Sequence, residues 1–170
     1  MEKSDYVCPT ENVYLMKYAI IFVSILLMMS SCKDAGPKYP KLDLMKYGFP
    51  VEINAPEGAI VEKGDLGIMQ DVTIKSGDEY YVQIFGSDAT TIDVSSIKAG
   101  QLAEVKASRF FSKIVEEHDA GFIYEKKIDD RINYDFRYTK ILADKEYVYQ
   151  TGLVGTYTEQ QVRDMYESVQ

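Results

Sequence analysis

The chain has 170 residues, with 19 Lys and Arg against 27 Asp and Glu and a formal net charge of −8. That length suits one ordinary domain with its own core plus an address segment, and that acidity disfavours nucleic acid and electrostatic adsorption to anionic lipid. A single histidine excludes sites built on two imidazoles, including most zinc hydrolase patterns.

In chain order, Met1 to Leu15 carries Glu2, Lys3, Asp5 and Glu11. From Met16 the sequence reads "MKYAIIFVSILLMMSSCKDAG": one cation, Lys17, then uncharged and mostly apolar residues from Tyr18 to Met29, then Ser30, Ser31 and Cys32. A membrane-crossing helix needs about 20 apolar residues, and this run is shorter. A cation, an apolar core of about 7 to 15 residues and small residues at its end are the parts of a secretory signal. The alternative is a short buried helix in which Cys32 is a small apolar residue, but the polar, Pro-containing stretch from Lys33 to Lys41 cannot continue a core.

Met29-Ser30-Ser31-Cys32 resembles the lipobox of bacterial lipoprotein signals. The resemblance implies a diacylglycerol on the Cys32 thiol, cleavage before Cys32 and acylation of the new amino group. It places the protein in a bacterial cell envelope, anchored in the outer membrane and facing the periplasm or the surface. Signals of this kind begin with short, basic segments, so translation is expected to start at Met16, which leaves Cys8 out of the mature protein. No disulfide, Cys nucleophile or thiolate metal site is then expected. Surface lipoproteins of some Gram-negative bacteria carry acids just after the lipid cysteine; "CKDAG" matches that export signal in part, with one acid.

"KDAGPKYPKLDLMK", residues 32–46 with the cysteine included, reads as a tether. The globular part is expected over 47–170. "FPVEINAP" alternates through Phe49, Val51 and Ile53 and stops at Pro56, Glu57 and Gly58. "AIVEKGDLG" reads as a short strand or an edge. "MQDVTIKSGD" and "EYYVQIFG" read as a hairpin. "DVSSIKAGQLAEVKAS", Asp93 to Ser108, spaces Val94, Ile97, Leu102 and Val105 closer to a helical than a strand period, with Asp93 or Ser95 as cap.

"RFFSKIVEEHDAGFIYEKKID" reads as two strands around His118 to Gly121, with the glycine at positive φ. In "RINYDFRYTKIL", Ile132, Tyr134, Phe136 and Tyr138 share one face and Asn133, Asp135, Arg137 and Thr139 the other. "EYVYQTGLVG" provides the last strand, through Leu153. "TYTEQQVRDMYESVQ" closes the chain with a Thr158–Gln161 capping box and an apolar stripe of Val162, Met165, Tyr166 and Val169.

The expected fold class is α+β: an antiparallel sheet of about seven strands with two helices packed on it. This element order, across 47–170, resembles the PsbP-like fold. The resemblance implies a domain that binds and stabilises partners rather than one that catalyses.

Phosphate-loop, dinucleotide, nucleophile-elbow and zincin motifs are absent. His118 in "EEHDAG" reads as a surface turn residue. Asp129 and Asp130 lack the spacing of a calcium loop and read as a hairpin turn. Tyr124, Tyr134, Tyr138, Tyr147 and Tyr149 crowd the last four strands and are the candidate ligand or partner face, against the plainer account that tyrosine is a good strand residue. No catalytic set, metal site or cofactor is expected. The expected partners are the membrane, through lipid on Cys32, and an envelope protein or small ligand. A hydrolase using Asp129, Asp130 or Glu125 is the alternative, and it requires two of those carboxylates to converge.

Overall fold

A computed structural model of the chain describes residues 36–65 and 69–170. The apolar run, Cys8 and Cys32 lie outside the described residues. Residues Pro37–Gln170 form one compact unit.

The unit is an α+β domain. Two short strands, β1 (Lys41–Asp43) and β2 (Glu52–Asn54), form a small ribbon with a 3-10 turn, Met45–Tyr47, between them. Then follow β3 (Ile60–Asp65), β4 (Gln70–Ser76), β5 (Tyr80–Asp88), helix α1 (Val94–Ala107), β6 (Phe111–His118), β7 (Gly121–Ile128), β8 (Arg131–Leu142), β9 (Lys145–Thr151) and helix α2 (Glu159–Ser168). Strands β3 to β9 make one seven-stranded sheet in the order β3-β4-β5-β9-β8-β7-β6, and every pairing is antiparallel. The "AIVEKGDLG" stretch supplies the edge strand β3.

One face of the sheet holds Val72, Ile74, Val82, Ile84, Ile123, Phe136, Tyr147 and Tyr149, all buried. Helix α2 covers it with Val162, Met165, Tyr166 and Val169, the stripe read from the sequence. The capping box is present in full: Gln161 N–H donates to Thr158 Oγ1 at 3.3 Å, and Thr158 N–H donates to Gln161 Oε1 at 2.8 Å. The rest of this layer is the N-terminal segment, which contributes Leu44, Phe49, Val51, Ile53 and Ala55.

That segment corrects the expected tether boundary. Leu44 is fully buried and Lys41–Asp43 pairs with β2, so the folded unit reaches back to Pro37. The prolines and lysines between 37 and 46 suggested a linker, but Leu42, Leu44 and Tyr39 give the stretch enough apolar surface to pack.

On the opposite face α1 packs against β8 and β6. Its contribution is smaller: Val105, with Leu102 half-buried, meets Phe122 and Tyr124. Asp93 is its cap, accepting from Ser95 N–H at 3.0 Å.

The turns also depart from expectation in one place. Gly121 does not have a positive φ. It is required by crowding: a Cβ there would strike the Arg137 carbonyl oxygen and come within 2.8 Å of the Tyr166 hydroxyl. The Asp129-Asp130 turn is a two-residue loop, as read, with Asp129 at φ 53°.

Candidate functional site

Strand β9 ends at Thr151, short of the expected Leu153. The last β8–β9 pair is Arg137 with Gln150, so the Thr151 N–H points past the end of that ladder. Asp135 takes it. Its carboxylate accepts from Thr151 N–H at 3.2 Å and Thr151 Oγ1 at 2.6 Å, from Phe136 N–H at 2.8 Å, from Tyr124 Oη at 2.9 Å and from Lys126 Nζ at 2.8 Å. Arg137 stands 3.6 Å away. Burial opposes ionisation of this group, yet the Arg137 and Lys126 cations hold its pKa below the ordinary carboxylate value.

Two residues earlier, Asn133 does the same for the chain beyond. Its Oδ1 accepts from Tyr157 N–H at 2.7 Å, and its Nδ2 donates to the Gly155 carbonyl at 3.2 Å. Tyr157 Oη donates to the Val154 carbonyl at 3.2 Å, and Gly152 N–H to the Tyr81 carbonyl at 2.8 Å. Gly155 sits at φ 144°, where a side chain would collide with the Tyr157 ring. The loop from Gly152 to Tyr157 is thus fixed at both ends and in its middle. It holds Leu153 and Val154 outward, 79 % and 80 % exposed.

Two concavities lie elsewhere on the domain, and residues of this loop line neither of them. One, of about 220 Å³, has a floor of Phe85 and Val148 with Gln150, Arg137, Glu104 and Glu146 around it. Burial raises the Glu146 pKa. Arg137 is held by the Phe136 carbonyl at 3.0 Å, beside Asp135 and over the Tyr124 ring. The crevice therefore offers one guanidinium and two carboxylates over an apolar floor, an arrangement that orients a ligand by charge.

The second, of about 430 Å³, lies beside the β6–β7 turn and is lined by His118, Tyr138, Tyr166 and Gln170 among others. His118 is less solitary than its turn setting suggests. Its Nε2 lies 2.7 Å from Glu116 Oε1, its ring stacks on Tyr166 at 5.2 Å, and Glu116 also pairs with Arg163. An orienting acid is present for His118, and among the described residues the hydroxyls that line this cleft are those of Tyr138 and Tyr166, with no Ser, Thr or Cys.

The five candidate tyrosines do not share a face. Tyr134, Tyr138, Tyr147 and Tyr149 lie on the α2 side, and Tyr124 lies on the α1 side with Asp135. Tyr124, Tyr147 and Tyr149 are buried, while Tyr134 and Tyr138 are half-buried against the same core. The rings are interior packing, because strands covered on both faces turn either parity of side chain inward.

The three carboxylates of the hydrolase reading are not brought together either. Glu125 receives a hydrogen bond from Ser112 Oγ at 2.7 Å and an ion pair from Lys113 at 3.3 Å, both of which hold its pKa down, the Ser112 bond most. Asp129 and Asp130 are exposed on their turn. Among the described residues no group of three or more His, Cys, Asp or Glu is placed to hold a metal ion, and no helix is long and apolar enough to cross a membrane.

Sequence reading missed the Asn133 and Asp135 clamps because their partners lie far along the chain, at residues 151 to 157. The available signals were two polar residues alternating with aromatics in β8 and the "GLVG" that follows β9. Comparison with protein families, with curated proteins and with solved structures finds no match to this chain.

Proposed function

We propose that this chain is a lipid-anchored domain of a bacterial cell envelope, held in the outer membrane through Cys32, that binds or assembles with an envelope component without catalysing a reaction. The observation that carries the reading is Met29-Ser30-Ser31-Cys32 directly after the apolar run Tyr18–Met29. Lipid transfer of this kind needs a thiol, and a serine in its place is not acylated. Two or three acyl chains on one residue anchor stably, where one chain binds marginally.

Binding is favoured over catalysis by the chemistry of the candidate groups. Asp135 is saturated with donors, Glu125 is paired, Asp129 and Asp130 face solvent, and among the described residues no Ser, Thr or Cys lines the His118 cleft. The crevice around Arg137 is the place proposed for a small envelope ligand or a peptide segment carrying both signs of charge. The likeness of element order to the PsbP-like fold adds an analogy in the same direction.

The test is metabolic labelling of the full chain with palmitate. Label is expected on the parent protein and absent from Cys32→Ser, which should leave the membrane fraction. Persistent labelling of Cys32→Ser overturns the reading.

A further inference from the structure

Among the described residues, five of the eight large exposed apolar side chains gather at one end of the seven-stranded sheet. Ile60 opens β3 opposite Lys75, Ile128 and Ile132 flank the β7–β8 hairpin, and Leu153 and Val154 follow β9. The strand register puts all of these along the same end of the sheet, where β4 ends, β5 begins and Thr151 pairs with Val82, with Ile60 and Ile128 on the α1 face and Ile132 on the α2 face.

The chain enters the fold at this end too. The Tyr39 ring packs on Tyr80, the first residue of β5, at 5.4 Å. The next residue, Tyr81, accepts the Gly152 N–H that precedes Leu153. Ala55 donates to the Pro40 carbonyl at 2.9 Å and leads into β3.

Single exposed apolar residues are ordinary. Five of them along one end of the sheet, two held outward by a loop clamped at several points, make a surface that calls for a cover. We propose that the cover is the lipid bilayer, with Leu153 and Val154 seated in its interfacial layer.

This inference rests on the lipid-anchor reading above. Pro37 is the fifth residue after Cys32, and five residues span at most about 18 Å when fully extended. An anchored domain therefore keeps its entry point, and with it the Leu153–Val154 loop, close to the membrane. Charge offers no competing attraction: exposed Lys75, Arg109, Lys127 and Arg131 are matched at this end by exposed Glu57, Asp78, Glu79, Asp129 and Asp130. The contact is apolar.

Because the acyl chains hold the protein whatever the loop does, the informative readout is depth and not partition. The chain contains no tryptophan, so Leu153→Trp installs a unique reporter at a position too exposed to disturb the core. The full chain, purified from membranes, is reconstituted into vesicles of phosphatidylethanolamine and phosphatidylglycerol with or without bromine on their acyl chains. Mass spectrometry of the Cys32 peptide verifies acylation. Leu153→Trp should show blue-shifted emission that brominated lipid quenches, while Ile92→Trp, 86 % exposed beyond β5 at the opposite end, stays red-shifted and unquenched. An acylated sample whose Leu153→Trp emission is unquenched overturns the inference and leaves the anchor standing. Blue-shifted but unquenched emission would assign the cover to protein, either a second copy or a partner, and overturn it as well. Equal quenching at both positions would also overturn it. A Cys32 peptide without lipid removes the anchor reading first and the inference with it.

Discussion

A carboxylate taken out of water costs several kcal/mol unless it is paired and hydrogen-bonded, and Asp135 meets that cost with a lysine, an arginine, two hydroxyls and two backbone N–H groups. Its pKa in the folded chain lies below the ordinary value, so the unfolded chain binds the proton more readily. The stabilisation is present above the unfolded pKa near 4 and is lost as pH falls through the folded value. Asp135→Asn keeps the size but presents an NH₂ or a neutral oxygen to Lys126, Tyr124 and Thr151. It should lower urea-unfolding stability at neutral pH by about 3 to 5 kcal/mol, and the gap from the parent protein should narrow as the pH is taken below about 4. Equal stabilities at neutral pH would mean that desolvation of the pair cancels its attraction.

The two helices show what makes an element legible. In α2 the capping residues and the apolar stripe are local signals that point to the same ten residues, and both were readable. Removing the box with Thr158→Ala should cost about 1 kcal/mol, seen as a lower urea midpoint with an unchanged slope. A fall in slope as well would indicate that α2 has come off the sheet. Helix α1 buries one side chain, Val105, so its period is irregular, and the sequence marked its start only by a cap at Asp93 or Ser95, of which Asp93 is the one used. Strand β8 was read correctly as alternating, but alternation cannot tell solvent from a polar interior. Asn133, Asp135 and Thr139 are buried because the chain after β9 and helix α1 lie over them, and nothing within β8 announces that. The same limit applied to the tyrosines, whose spacing located the strands but not which faces would be covered.

At the scale of the molecule the seven-stranded sheet is a wall with aromatic residues in both layers. Burial is the first cause of a raised pKa at Tyr80, Tyr124, Tyr138, Tyr147, Tyr149, Tyr157 and Tyr166. Tyr157 and Tyr166 are pushed up to about 12, and burial raises Tyr80, Tyr124 and Tyr149 strongly as well. The Tyr149 hydroxyl is buried and has no hydrogen-bond partner among the described residues, the least favourable place for a phenolate. Above the unfolded pKa of about 10 the unfolded chain releases these protons and the folded chain retains them, so stability is complete below pH 10 and declines as pH rises. Because the rings belong to one connected core around α2 and a smaller one under α1, they cannot ionise one at a time without opening the packing that protects them. An alkaline titration should therefore show the exposed tyrosines ionising gradually, and then a steep rise in phenolate absorbance that coincides with loss of far-ultraviolet circular dichroism. A smooth titration of all the tyrosines with the sheet signal intact would mean that water reaches the rings in the folded state, and would return Tyr134, Tyr138 and their neighbours to candidacy as an open face.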